Sequence, residues 1–202
     1  MASYSFSVTY AIIAGAVLLC ASLVWVLVVY NRLVRGRIRA RNGFSQIDVQ
    51  LKRRCDLIPN LVEAVRGYMT HERQTLESVI TARNAMLSGL QAVGSGSLNA
   101  SSIQTIFGAS NVLDQLLMQL RVSIENYPDL KASTNVLGLQ EELVSTENRI
   151  AYSRQAYNDA VLQFNTDRSL FPASLVASLF KFSELSLFSA NESDRVLPEV
   201  KF

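Results

Sequence analysis

Residues 5 to 30 contain no Asp, Glu, Lys, Arg or His, and Arg32, Arg35, Arg37, Arg39 and Arg41 follow at once. A helix needs about 20 apolar residues to cross a bilayer core, so the stretch centred on IIAGAVLLCASLVWVLVVY is long enough to span with some tilt. Arginines just after a span mark its cytoplasmic flank, and the preceding MASYSFS carries no side-chain charge to compete. The expected topology is single-pass in the inner (cytoplasmic) membrane, with the N-terminus outside and the body cytoplasmic. A secretory signal would place its positive charges before a shorter apolar core. A lipid-anchored cysteine at Cys20 would need a small residue before it, where Leu18 and Leu19 stand. A buried soluble helix rarely stays uncharged over this length before meeting five arginines.

The net charge of +2 hides an asymmetry that follows from the anchor. Residues 32 to 54 hold eight basic side chains against Asp48 alone, and the rest of the chain has eleven against sixteen acids. Beside an anionic leaflet each Lys or Arg contributes about 1 kcal/mol, fading within a Debye length. The basic stripe is thus a membrane flank rather than a nucleic-acid surface, since no interleaved aromatics or nucleic-acid motif accompany it. The cysteines are Cys20, inside the span, and Cys55, so no disulfide scaffold exists. The sequons at Asn99 and Asn191 are read as chance matches, because only a translocated body would be glycosylated.

Beyond the span, one apolar register runs in four-three steps through Phe44, Asp48, Leu51, Cys55, Ile58, Val62, Val65, Met69, Glu72, Leu76, Val79, Arg83, Met86 and Leu90. That spacing belongs to a long helix packing on other helices. The register passes through Pro59, which removes a backbone bond and clashes with the carbonyl of Cys55. Residues 56 to 60 hold two large apolar side chains and no glycine, which suits a turn poorly. A continuous helix kinked at Pro59 and reaching about Leu90 is therefore favoured over a reversal at Pro59. Residues 93 to 102 (VGSGSLNASS) form a linker. Helical spacing resumes over residues 103 to 126 until Pro128 ends the element. A final long helix, entered near Asp129 or Ser133, carries Val136, Leu139, Leu143, Ile150, Tyr157, Val161 and Phe164 on its packing side. The fold class is all-α: an N-terminal transmembrane helix continuing into an antiparallel bundle of three or four long helices. The divisions are an anchor at 1–31, a helical-bundle domain at 32–168 with its loop at 91–102, and an apolar aromatic-rich tail at 169–202.

The search for chemistry returns little. His71-Glu72 begins an HExxH pattern, but Thr75 stands where the second histidine belongs and the chain has no other. Cys55 has no histidine partner in reach, and there is no G-x-S-x-G elbow, phosphate loop, GxGxxG or paired-cysteine site. No catalytic residue, metal or cofactor is expected, and the chain is read as a non-enzyme. The polar residues that stand out lie on apolar seams. Glu72 and Arg83 interrupt the first, and Glu147 and Arg154 sit on the packing side of the last helix. Buried charges are costly unless paired, so pairing across helices is expected, with snorkelling into solvent as the alternative. Tyr157-Asn158 and Phe164-Asn165 repeat at seven residues and read as register devices, with the aromatic filling the core. In the tail, Phe171, Phe180, Phe182 and Phe188 need cover: their own bundle, another subunit, or the membrane surface.

YNRLVRGRIRARNGFSQIDVQLKRRCDLIPNLVEAVRGYMTHERQTLESV, NYPDLKASTNVLGLQEELVSTENRIAYSRQAYNDAVLQFNT and FPASLVA, together spanning Tyr30 to Ala177, resemble the LemA family of bacterial membrane proteins. The segments Ile47 to Tyr68, Tyr127 to Leu130 and Glu147 to Val161 carry the likeness. Cys55 stands where the family typically has histidine, and beyond Phe182 the chain departs from the family pattern. The resemblance implies a single-span anchor and a cytoplasmic helical bundle without an assigned catalytic activity. Some members are similar to magnetosome membrane proteins and some occur beside membrane metalloproteases. The expected function is a membrane-anchored scaffold that self-associates and organises or shapes the membrane, with the lipid bilayer and further copies of the chain as partners. The alternative is an adaptor that recruits a membrane enzyme or sensor.

Overall fold

The computed structural model of the protein describes the backbone of residues 2–94 and 100–188 and the side chains of residues 13–93 and 100–188. Asn99, Asn191 and most of the glycine-serine linker lie outside the described residues. Among the described residues six helices follow in order: α1 (Ala2–Arg66), α2 (Arg73–Gly94), α3 (Ala100–Glu125), α4 (Pro128–Lys131), α5 (Thr134–Ser169) and α6 (Ala173–Leu179). The described residues contain no strand.

α1 is 65 residues long, about 98 Å at the usual helical rise. It runs without interruption from the uncharged stretch through the arginines and past Pro59. Its N-terminal part, from Ile13, is long and apolar enough to cross a membrane and has no fully buried residue in its most apolar window. The helix expected to reach Leu90 instead ends at Arg66, and the chain reverses through residues 67 to 72, about two turns beyond Pro59. The last turn carries Arg66, whose charge complements the helix C-terminus, and Gly67 follows it. The Val65 carbonyl accepts the amides of Tyr68 (3.1 Å) and Met69 (3.0 Å), closing the end. At the far side of the turn the Glu72 carbonyl takes the amide of Leu76, and the Thr75 hydroxyl donates to the Glu72 carboxylate.

α1, α2, α3 and α5 alternate in direction, giving an up-down four-helix bundle on a single elongated member. The pairing of α1 with α5 is the most extensive. Residues facing each other across it descend in antiparallel register: Arg32 with Asp167, Gly36 with Phe164, Gly43 with Tyr157, Arg54 with Glu147. Gly36, Ala40 and Gly43 form a small-residue strip that lets the two backbones approach. A Cβ on Gly43 would lie 3.1 Å from the Tyr157 Cα, and one on Gly36 3.1 Å from the Phe164 Cδ2. The core lies along the bundle axis, with Ile47, Leu51, Cys55, Ile58 and Val65 of α1 shut from solvent against Val79, Met86, Ile106, Leu113, Ile150 and Val161. A second, smaller cluster of Leu33, Phe164, Val176, Ala177 and Phe182 closes the end nearest the span.

α4 begins on Pro128, whose fixed φ suits a first helical position and whose absent N–H is not missed there. α5 ends at Ser169 as Leu170 turns extended ahead of Phe171-Pro172. α6 ends at Leu179; beyond it Lys181 is held at φ 55, and the Phe182 amide returns to the Ala177 carbonyl at 2.9 Å. This is a Schellman closure, and it folds Phe182 back onto Ala177 in the second cluster.

Candidate functional site

The side chains singled out in the sequence gather at three levels along the α1–α5 pair. At the membrane flank, Arg32 reaches α5 through a bidentate bridge to Asp167, Nη2 to Oδ1 at 2.6 Å and Nε to Oδ2 at 3.1 Å. Gln163 donates to the same carboxylate, which is almost wholly buried. Arg35, Arg37, Arg39 and Arg41 are exposed. Of the five arginines, Arg32 makes this bidentate bridge, which ties α1 to α5 just beyond the uncharged stretch.

At the middle level lies a clasp that seven-residue spacing alone did not reveal. Tyr157 and Phe164 fill the core, and the neighbouring asparagines turn outward onto residues 182 to 188, which lie along α5 without helical structure. Asn165 donates to the Leu185 carbonyl (2.8 Å) and accepts the Leu185 amide (3.0 Å). Asn158 treats Phe188 in the same way, at 3.3 and 2.8 Å. Each carboxamide thus substitutes for a neighbouring strand, satisfying both backbone groups of one residue. Between them the Tyr157 hydroxyl donates to the Ser186 carbonyl at 2.7 Å, and burial pushes its pKa up to about 12, so the donor proton is retained. Phe182 and Phe188 are buried by this arrangement, whereas Phe171 is exposed and Phe180 is half-exposed with its ring against Tyr30. The four tail phenylalanines therefore split into two that cap the bundle and two that do not.

Arg154 also serves the clasp. Its guanidinium lies 5.1 Å from the Phe107 ring centre and 5.3 Å from that of Phe188, so α3, α5 and the tail meet around one cation.

At the third level, Arg54 is only 4% exposed. It bonds to Asp114 of α3 and faces Glu147 of α5, with Nη1 and Oε2 3.3 Å apart. That separation suits an ion pair, but neither atom makes an aligned hydrogen bond. Burial raises the Glu147 carboxyl above its usual range, and nearby Asp114 adds to the rise while Arg54 and Arg154 oppose it. A groove of about 820 Å³ opens over this cluster, with Leu61, Leu117, Ile124, Leu143 and Val144 among its walls.

Arg83 meets a different partner. Pro59 has no N–H for the carbonyl of Cys55 one turn earlier, and Arg83 Nε of α2 donates to that oxygen at 2.9 Å. The four seam charges thus find four environments, with Glu147 opposite a cation, Arg154 between rings, Arg83 on a backbone carbonyl and Glu72 at a helix start. Burial raises the Cys55 thiol as well, the opposite of what a thiolate nucleophile requires. Among the described residues no three His, Cys, Asp or Glu side chains gather as a metal site would need.

The profile of the LemA family matches residues 43–202. The chain belongs to the LemA family. Protein LemA of Metamycoplasma hominis is 29% identical over 167 residues, covering 82% of this chain and 71% of that protein. Magnetosome protein MamQ of Magnetospirillum gryphiswaldense is 22% identical over 200 residues, covering 90% and 74%. Magnetosome protein MamQ 2 of Paramagnetospirillum magneticum is also 22% identical, over 192 residues. None of these names denotes an enzyme. The family match runs through the tail, correcting the expectation that the pattern stops after Phe182, and the clasp gives the physical reason: residues 182 to 188 are part of the bundle. The span and collar precede the matched region. In this LemA-family bundle, sequence reading passed over Arg54, Asp114 and Asp167. Arg54 looked like one more basic residue after the span, and its partners lie far along the chain.

Proposed function

We propose that this LemA-family protein is a non-enzymatic, membrane-anchored helical scaffold that self-associates and organises or shapes the membrane around it. Its N-terminus lies outside and its bundle in the cytoplasm. The observation that carries the reading is the continuity of α1, which passes from an uncharged span through the arginines into the bundle core as one helix. Force or position at the membrane is then passed directly to the bundle, and neighbouring bundles can order the lipid between them. Exposed apolar side chains on α3 (Val112, Met118, Val122) and α5 (Val144, Tyr152, Leu162) offer surface for contacts between copies. Many weak anchors and basic collars acting together would give strong membrane attachment. The experiment is mass measurement of the protein in nanodiscs and at several protein-to-lipid ratios. Discrete oligomers are expected, and a monomer at every ratio refutes the scaffold.

A second reading draws on the groove over Arg54. Its size and apolar walls suit a docked segment of another protein, as an adaptor for a membrane enzyme or sensor requires. A monomer in nanodiscs that captures a second membrane protein only while the groove is intact would favour this reading.

A further inference from the structure

α6 and its flanks leave an apolar face uncovered. Phe171, Leu175 and Leu179 follow at four-residue steps and are 80%, 61% and 74% exposed, with Leu170 and Phe180 beside them. Leu175 and Leu179 are one turn apart on α6 and share a face, and Phe171 stands just before the helix, ahead of Pro172. The opposite side is packed: Val176 and Ala177 are buried with Leu33, Phe164 and Phe182. From residue 169 to 182 the only charged side chain is Lys181, at the edge of the patch. The segment is therefore two-faced, with apolar side chains on both faces, one docked on protein and one open.

What covers the open face follows from its height. The inner face of α6 rests on α1 beside Val26, Val29, Tyr30 and Val34, and the Phe180 ring lies 4.8 Å from the Tyr30 ring. Val26 to Tyr30 belongs to the uncharged stretch, where Leu27 and Val28 are themselves exposed along α1. Val26 lies about 6 Å below Tyr30 along the helix axis. Interfacial segments seat their apolar faces about 5–10 Å into the boundary between headgroups and acyl chains. The patch thus continues sideways from the last turns of the span, and Arg32 with the collar begins immediately above it.

We propose that residues 170 to 180 form a second membrane contact, a wedge held against α1 and inserted into the headgroup-acyl boundary of the leaflet on the arginine side. This rests on the reading of α1 as a membrane span, and it gives the shaping of the membrane a physical means. A wedge occupies area in one leaflet only, so each anchored copy spreads the arginine-side leaflet more than the other. The clasp on residues 182 to 188 and the Arg32–Asp167 bridge keep the wedge from swinging away.

The test uses the full chain in phosphatidylcholine and phosphatidylglycerol vesicles, with phospholipid brominated near the headgroup end of the acyl chain as quencher. The chain has one tryptophan, Trp25, which lies in the span. Phe171 is exposed, so Phe171→Trp in a Trp25→Phe background places a reporter on the wedge without disturbing the core. Emission from residue 171 should be blue-shifted and fall by roughly half or more with brominated lipid, as expected for a side chain in the boundary layer. The native protein serves as the control. If Trp25 is quenched and the tryptophan at 171 emits as in water, the wedge is refuted while the anchor stands. If Trp25 also escapes quenching, the anchor reading fails with it. A blue-shifted but unquenched reporter that reverts on dilution into excess vesicles would assign the face to a second copy and refute the lipid contact.

Discussion

Pro59 and Arg83 should be energetically coupled, because one creates the vacancy that the other fills. Proline in a helix interior leaves the carbonyl four residues earlier without its donor, here the oxygen of Cys55, a residue with no exposed surface. Arg83→Met keeps most of the aliphatic stem and removes the donor, leaving a shielded oxygen unsatisfied. The expected cost is about 1–3 kcal/mol, the range for a buried group that loses a charged partner. In a Pro59→Ala background the new amide of residue 59 can reach the same oxygen. Arg83→Met should then cost about 1 kcal/mol or less, giving a coupling of roughly 1–2 kcal/mol in the double-mutant cycle. Urea unfolding of the four proteins in one detergent, followed by far-ultraviolet circular dichroism, measures each difference. Additivity within about 0.5 kcal/mol would refute the account, since it would mean that Arg83 contributes independently of the proline.

Three further outcomes follow from the geometry. Gly43→Ala should destabilise by about 1–3 kcal/mol, since the added methyl meets the Tyr157 backbone, whereas Gly36→Ala meets the edge of the Phe164 ring and should cost less; equal thermal shifts would contradict this. Asn165→Ala should speed amide exchange at Leu185 roughly tenfold or more while leaving the amides of α1 protected, and unchanged exchange would dismiss the clasp. The Glu147 carboxyl is raised in the folded state, so the native protein binds the proton more tightly than the unfolded chain. Its contribution is present below the unfolded value and is lost as pH rises through the folded one. Glu147→Gln should flatten that decline in urea-midpoint profiles upward from about pH 4.5, and an unchanged slope would count against burial as the cause.

The all-α class and the long apolar N-terminal helix were legible because both depend on patterns local in sequence: uncharged length, flanking arginines and four-three spacing. The turn at residues 67 to 72 was not, for a physical reason. Met69 is buried inside it and Leu76 resumes on schedule, so the apolar rhythm crosses the reversal without a missed beat. Pro59 drew attention as a breaker, yet the helix runs through it and ends at Arg66. Asn158 and Asn165 stood out through their repeat, but their partners are backbone groups of residues 185 and 188, which side-chain identities do not encode. Arg54 was hidden by its neighbours: placed after five arginines and beside Lys52 and Arg53, it looked like a solvated charge.

The stiff α1–α5 pair has a consequence in leverage. From Arg32 to Arg66 α1 covers about 51 Å, and it is braced along that length by α5. A bilayer that thins or thickens is accommodated first by a change of helix tilt. For a tilt change of about 10°, the turn at residues 67 to 72 sweeps roughly 9 Å sideways, nearly the width of a helix. In the proposed anchored state, the far end of the bundle would thus move as the needle of a gauge whose pivot is the arginine collar.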